Sequence, residues 1–334
     1  MHPHANALTR LLGIEIPIIQ APTGSIANPE LAAAVSNAGG LGSLGLTWMA
    51  EEDAVAAVRQ LRSLTSKPFM VNFALAFPPR ALPAILAERV PIVSLSWGLD
   101  AAAIREVRNS GALCLVQTGS ARGAEAALEA GAHAVILQGI EAGGHVQSSR
   151  PLRMLLAQTA ASLPNALLIA AGGIATGADI RKALNRGAGA AMLGTRFVAT
   201  QESGAHQDYK KQLLGARAND TALTICFSRG WPQAPHRVLR NRTLEEWEAA
   251  GFPPEGSRPG EGDVVAHTAN GLPIFRYEDT APRSGMIGAV DEMALYSGTG
   301  VGRIRSLPSA ADLVGDLWEE ATRNDDGYQA ADAI

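Results

Sequence analysis

The sequence predicts an α/β fold, a closed (β/α)8 barrel with a smaller, mainly helical lid segment inserted after strand eight. Three observations predict it. Residues 167–200 read as buried strand, glycine turn, helix and second buried strand, the pattern of a parallel βαβ unit. Helix, glycine and buried strand recur at NAGGLGSLG, NSGALCLVQ, EAGAHAVILQ and NRGAGAAML, where the glycine can take the left-handed conformation that ends a helix. Counting along the chain gives eight such strands in roughly 200 residues, within the usual range of a barrel. An open doubly wound sheet is the competing arrangement of the same alternation.

The elements follow in order. Residues 16–21, IPIIQA, form strand one and end in the turn Pro22-Thr23-Gly24. Asn28 caps the next helix, with Pro29 at its first position and Glu30 in its first turn, and Gly39-Gly40 ends it. Strand two spans 42–46 and a helix covers 50–64. Strands three to six span 69–75, 92–96, 113–117 and 134–138. Strand seven spans 167–171, a helix 177–186, and strand eight 189–193, so the barrel occupies residues 10–200. The even alternation then stops. Residues 201–284 are rich in Arg, Pro and Trp, with helical pieces at 205–214 and 243–250 and a loop at 252–263. An insertion at that point lies over the carboxyl edge of the barrel as a lid. A C-terminal unit, 285–325, resumes the helical pattern, and its amphipathic stretch 309–322 is expected to pack back on the barrel.

Composition narrows the function classes. The 334 residues are 47% hydrophobic, enough for one large core, and the net charge of −4 comes without a basic run. Nucleic acid and an anionic membrane surface are therefore not expected partners. The two cysteines, Cys114 and Cys226, read as buried small residues without a disulfide framework. The first residues lack the apolar centre of a signal peptide, and no apolar run is long enough for a bilayer, so a cytoplasmic location is expected.

The chemistry concentrates at the carboxyl ends of the strands. Gly172-Gly173 follows strand seven and Gly194-Thr195 follows strand eight, the place where barrels commonly hold phosphate on loop backbone. The alternative is that these glycines only make tight turns. The string Gly40-Leu41-Gly42-Ser43-Leu44-Gly45 matches the dinucleotide pattern G-x-G-x-x-G, but a helix precedes it and no acidic residue ends a following strand, so it is rejected. His145 stands after strand six beside Gly143 and Gly144, in a position and of a type suited to proton abstraction. The remaining histidines, His236 among them, show neither such a placement nor metal-ligand spacing. Asn72 and Gln117, at the ends of strands three and five, are placed to hydrogen-bond a planar heterocycle lying across the barrel mouth.

Five segments carry a resemblance: IPIIQAP, VNFAL, QGIEAGGH, AAGGIATGADIRKAL and MLGTRFVAT, joined by WPQAPHRVLRNRTLEEWEA and YSGTGVGRIRSLPSA further on. In this order and spacing they resemble the nitronate monooxygenase family, formerly called 2-nitropropane dioxygenases, in its class with an active-site histidine. The resemblance implies an FMN-dependent TIM barrel. It puts the phosphate on Gly172, Gly173, Gly194 and Thr195, with Met192 and Leu193 in the same segment. Asn72, Gln138 and Gly143 match flavin-contacting positions, Ala21-Pro22-Thr23 would pass under the ring, and His145 matches the catalytic base. The chain departs from many relatives at Thr23 and Thr299, where they have Met and Gln. The implied reaction is oxidation of alkyl nitronates, and by extension nitroalkanes, by O2 to a carbonyl compound and nitrite. The rival enzyme is an NAD(P)H-dependent flavin reductase acting on quinones or enoyl thioesters. A barrel like inosine-monophosphate dehydrogenase would need a cysteine in a strand-end loop, and Cys114 lies inside an apolar run. A non-catalytic flavin-binding protein is the alternative of another class. The sequence leaves the oligomeric state open.

Overall fold

The computed structural model describes residues 6–323. In chain order the strands are β1 (Ile18–Gln20), β2 (Gly42–Gly45), β3 (Phe69–Ala74), β4 (Ile92–Ser96), β5 (Leu113–Thr118), β6 (Ala134–Gln138), β7 (Gly144–His145), β8 (Leu168–Ala171) and β9 (Ala190–Leu193). All but β7 form one parallel sheet, in the order β1-β9-β8-β6-β5-β4-β3-β2. Its ends meet where Ile19 bridges Leu41, through Gln20 N–H to Leu41 O at 2.9 Å and Leu41 N–H to Ile18 O at 2.9 Å. The sheet is a closed eight-stranded barrel, as the alternation predicts.

Side-chain parity sorts the barrel into two layers. Ile19, Met70, Leu115, Ile136, Ile169 and Met192 fill the interior. Their neighbours Ile18, Val71, Val116, Leu137, Ala170 and Leu193 face the helices and form the larger core. A helix the sequence reading did not anticipate, Ala7–Leu12, sends Leu8 and Leu12 into the interior layer; Asn6 caps it in a reciprocal capping box with Thr9. Asn6 also donates to Gly189 O at 2.8 Å, which fixes this helix beside the start of β9, at the amino end of the barrel.

The lid carries the expected helices together with short strands that the sequence did not show. It contains the helices Gln207–Gly215 and Arg242–Ala249, but also β10 (Thr221–Thr224), β11 (His236–Leu239), β12 (Val264–His267), β13 (Pro273–Phe275) and β14 (Ile287–Gly288). These strands build two three-stranded sheets, β10-β11-β7 and β13-β12-β14. With β14 paired to β12, residues 287–288 belong with the lid sheet and not with the C-terminal helix. Strands of two to four residues are too short to show a period of two, which is why the sequence hides them. The C-terminal helix Ala310–Thr322 returns to the barrel. Its Glu320 accepts hydrogen bonds from Gly177 N–H at 2.8 Å and Ala178 N–H at 3.3 Å. Among the described residues no helix is long and apolar enough to cross a membrane.

Candidate active site

A cavity of about 610 Å³ opens at the carboxyl end of the barrel, between the strand-end loops and the lid. That volume suits a cofactor or small-molecule site. Parity explains part of its lining. Asn72, Gln117 and Gln138 share the inward register of Met70, Leu115 and Ile136, so each puts a polar group at the top of an apolar interior. The Asn72 amide nitrogen donates to Ser94 Oγ at 3.0 Å and to Ser94 O at 3.2 Å. Gln117 donates to Gln147 Oε1 at 3.0 Å.

The glycine loops line the opposite part of the cavity. Gly172 and Gly173 hold φ of 114° and 69°, values a side chain rarely adopts. The helix that follows does not offer its N-terminus to a ligand: Thr176 and Asp179 form a capping box, and Glu320 takes the N–H groups of Gly177 and Ala178. The free helix end belongs instead to the short helix Thr195–Val198, whose first N–H groups have no intrahelical acceptor. Thr195 Oγ1 accepts from Gly298 N–H at 3.0 Å, so the segment after the lid closes this side. A Cβ on Gly194 would meet only Thr23 Cγ2 at 3.6 Å and Ala21 Cβ at 3.8 Å, ordinary contacts on the cavity wall.

His145 is held by both lobes. Its strand β7 pairs with β11, in the register His145 to His236. From below, Gln138 donates to His145 O at 3.0 Å and accepts from Gln147 N–H at 2.8 Å. Arg237 of β11 donates to Ile140 O at 3.0 and 3.2 Å and anchors the start of the same loop. The His145 Nε2 is buried without a hydrogen-bond partner. Burial, and then the neighbouring His236, push the imidazole down to about 3, so the ring is neutral. His236 is neutral too, pushed down to about 4 by burial. Phe227 N–H donates to its Nε2 at 3.2 Å and its Nδ1 lies 2.9 Å from Ala234 O, which assigns the proton to Nδ1.

Aromatic rings surround this imidazole. Trp231 stacks on it at 4.2 Å between centroids, Tyr296 lies at 5.6 Å, and Trp97 meets it edge-on at 6.0 Å. Two charged side chains of the lid complete the lining. Burial raises the Asp279 carboxyl to about 6. Arg283 is the one Lys or Arg in the lining, and its Nε is buried without a partner.

Ala21, Pro22, Thr23, Asn72, Gln117, Gln138, Gly143, His145, Gly172, Gly173, Met192, Gly194 and Thr195 thus come together on one cavity. Leu193 does not join them. It is one residue out of phase with Met192 and packs outward against the helices, which corrects its place among the cofactor contacts. Gly143 has a packing reason of its own, since a Cβ there would stand 2.4 Å from Gly298 N. His236, set aside in the sequence, does not line the cavity, but its ring lies 5.3 Å from that of His145. Trp97 sits directly after β4, the same kind of strand-end position that singled out His145, so a signal existed. Trp231, Asp279 and Arg283 come from irregular lid chain, where no period marks them. Both cysteines are buried and their thiols are pushed up to about 12, so neither serves as a nucleophile.

A closed barrel with an imidazole in a strand-end loop beneath a lid has the layout of a barrel enzyme's active site. The chain belongs to the nitronate monooxygenase family, whose model matches residues 5–81 and 79–320. It is 35% identical to a nitronate monooxygenase from Pseudomonas aeruginosa, over 93% of this chain and 98% of that protein. It is 32% identical to an octahydro-indene carboxyl-CoA dehydrogenase from Rhodococcus jostii, over 73% of this chain and 68% of that one. Among solved structures, FabK from Thermotoga maritima superposes with a TM-score of 0.82 at 31% identity, covering 95% of this chain and 96% of that one.

Proposed function

We propose that this protein is an FMN-dependent nitronate monooxygenase, oxidising alkyl nitronates with O2 to a carbonyl compound and nitrite. The observation that carries this reading is the neutral imidazole of His145, its Nε2 buried in the cavity without a partner. The residues present fit a flavin mononucleotide. The loops at Gly172-Gly173 and Gly194-Thr195 would take its one phosphate on backbone N–H groups. Asn72, Gln117 and Gln138 would face the ring edges, and Ala21-Pro22-Thr23 would lie beneath it. When bound, the flavin supplies the electron transfer from substrate to O2.

The chain's own groups then position the substrate. A nitronate is an anion, and Arg283 is the cation in the lining that a nitronate oxygen could meet. The neutral His145 ring offers one donor and one acceptor nitrogen, so it can hold a nitronate oxygen or receive the proton α to a nitro group. With its proton affinity pushed so low, His145 is a weak base, which suits the pre-formed nitronate better than the neutral nitroalkane. The stacked Trp231 and the lid exclude water from the reacting atoms.

A second reading, redox chemistry on a thioester substrate, with an enoyl thioester reduced by NAD(P)H or, in the reverse direction, an acyl thioester dehydrogenated by an electron acceptor, is favoured by the likeness to the carboxyl-CoA dehydrogenase. The test begins with the cofactor. Purified protein should be yellow, release FMN and not FAD on denaturation, and form nitrite from a nitronate in air. Colourless protein that cannot be reconstituted with FMN would remove the basis of the proposal.

A further inference from the structure

Three tryptophans from three separate elements converge at the mouth of the cavity. Trp48 follows β2, Trp97 follows β4, and Trp231 comes from the lid. With Phe77 they make a continuous edge-to-face array: Trp97 to Trp231 at 4.7 Å, Phe77 to Trp231 at 4.9 Å, Trp48 to Phe77 at 5.5 Å and Trp48 to Trp231 at 5.9 Å. The array ends on the His145 ring through the Trp231 stack.

Trp231 is buried in a small apolar cluster with Phe77 and Trp97 packed half-buried against it, while Trp48 stands at the exposed end of the array. Trp48 is 56% exposed, an unfavourable place for an indole that nothing covers. Trp97 holds φ at 56°, a conformation that costs a bulky residue energy and is kept where the surroundings impose it. The contrast with Trp247 is direct. That indole is buried and donates to Pro253 O at 2.9 Å, whereas the indoles of Trp48, Trp97 and Trp231 donate to no described residue. Edge-to-face arrays leave ring faces and edges for a further aromatic ring, which gains contact beyond its buried area. A saturated group of the same size gains the area alone.

We infer that this aromatic wall selects substrates whose apolar part is a planar aromatic ring, held against Trp48 and Trp97 with the reacting carbon beside His145. The inference rests on the proposed function for the reacting group and on the wall alone for the ring. Benzoate and cyclohexanecarboxylate have the same anion and similar size, and neither carries a nitro group. Calorimetric titration of the yellow holoprotein should give about fivefold tighter binding of benzoate, in line with the usual worth of an aromatic pair. The preference should fall below about twofold in Trp48→Ala and return in Trp48→Phe. Among substrates, kcat/KM for the nitronate of phenylnitromethane should exceed that for the nitronate of nitromethylcyclohexane by a similar factor. Equal affinities for the two carboxylates, or a preference unchanged in Trp48→Ala, would overturn the wall even if both nitronates turn over. A benzoate preference that follows Trp48, without turnover of either nitronate, would keep the wall and sink the nitronate reading.

Discussion

At the scale of single residues the chemistry turns on the His145 imidazole. Its charged form is penalised first by burial and then by His236, so the neutral form persists down to about pH 3. The sign follows directly: the base-competent form is complete above that value and lost only below it. Turnover of a neutral nitroalkane should therefore show no inflection from His145 between about pH 5 and about pH 9. His145→Ala should lower nitroalkane kcat/KM by about 10²–10⁴-fold, the usual worth of a general base. A pre-formed nitronate, already deprotonated, should lose much less. Steady-state kinetics on both substrates checks this, and equal losses would make His145 a binding residue. His145 was legible because a polar titratable residue followed a predicted buried strand, and Asn72 and Gln117 because they stand at strand ends, whereas Gln138 was reached only through the family resemblance. Trp97 directly follows its strand as well, but as an apolar residue it offered no titratable group to single it out. His236 was not legible, because its neighbour across the β7–β11 pairing is 91 residues away in a lobe without periodicity.

At the scale of elements the site depends on a short pairing between lobes. The strand β7 has only two residues, and β11 holds it from above while Gln138 holds it from below. The Gln138 amide therefore acts mainly as a positioning group for the His145 loop, whatever its second N–H donates to. Gln138→Leu would leave His145 O and Gln147 N–H without these bonds, at a cost of about 1–3 kcal/mol for each buried group that stays unpaired. The expected result is a kcat loss larger than the rise in KM, with cofactor retained. Gln138→Glu keeps an acceptor for Gln147 N–H and should recover part of the activity. Cofactor loss in both variants, with kcat intact in the residual holoenzyme, would assign Gln138 to the flavin. The barrel strands showed themselves as buried apolar runs bounded by glycine. The lid strands did not, since pairings of two to four residues draw their stability from contacts distant in sequence.

At the scale of the whole molecule, the barrel supplies a rigid rim and the lid supplies most of the substrate-facing chemistry. The closed sheet fixes the glycine loops and the inward amides, positions that follow from strand order and side-chain parity. The lid adds Trp231, Asp279 and Arg283, the segment after it adds Tyr296, and β11 of the lid sets the His145 ring. That division explains why the family and the barrel side of the cavity could be read from motifs, while the lid side needed the folded chain. It also shows where relatives on the same barrel can diverge in substrate. The most direct measurement is anaerobic stopped-flow mixing of the yellow protein with an alkyl nitronate and, separately, with NADH, followed by flavin absorbance. Bleaching by the nitronate, with reoxidation on admitting O2 and no reaction with NADH, is the predicted result. Bleaching by NADH and none by the nitronate would contradict the account and establish the reductase reading in its place.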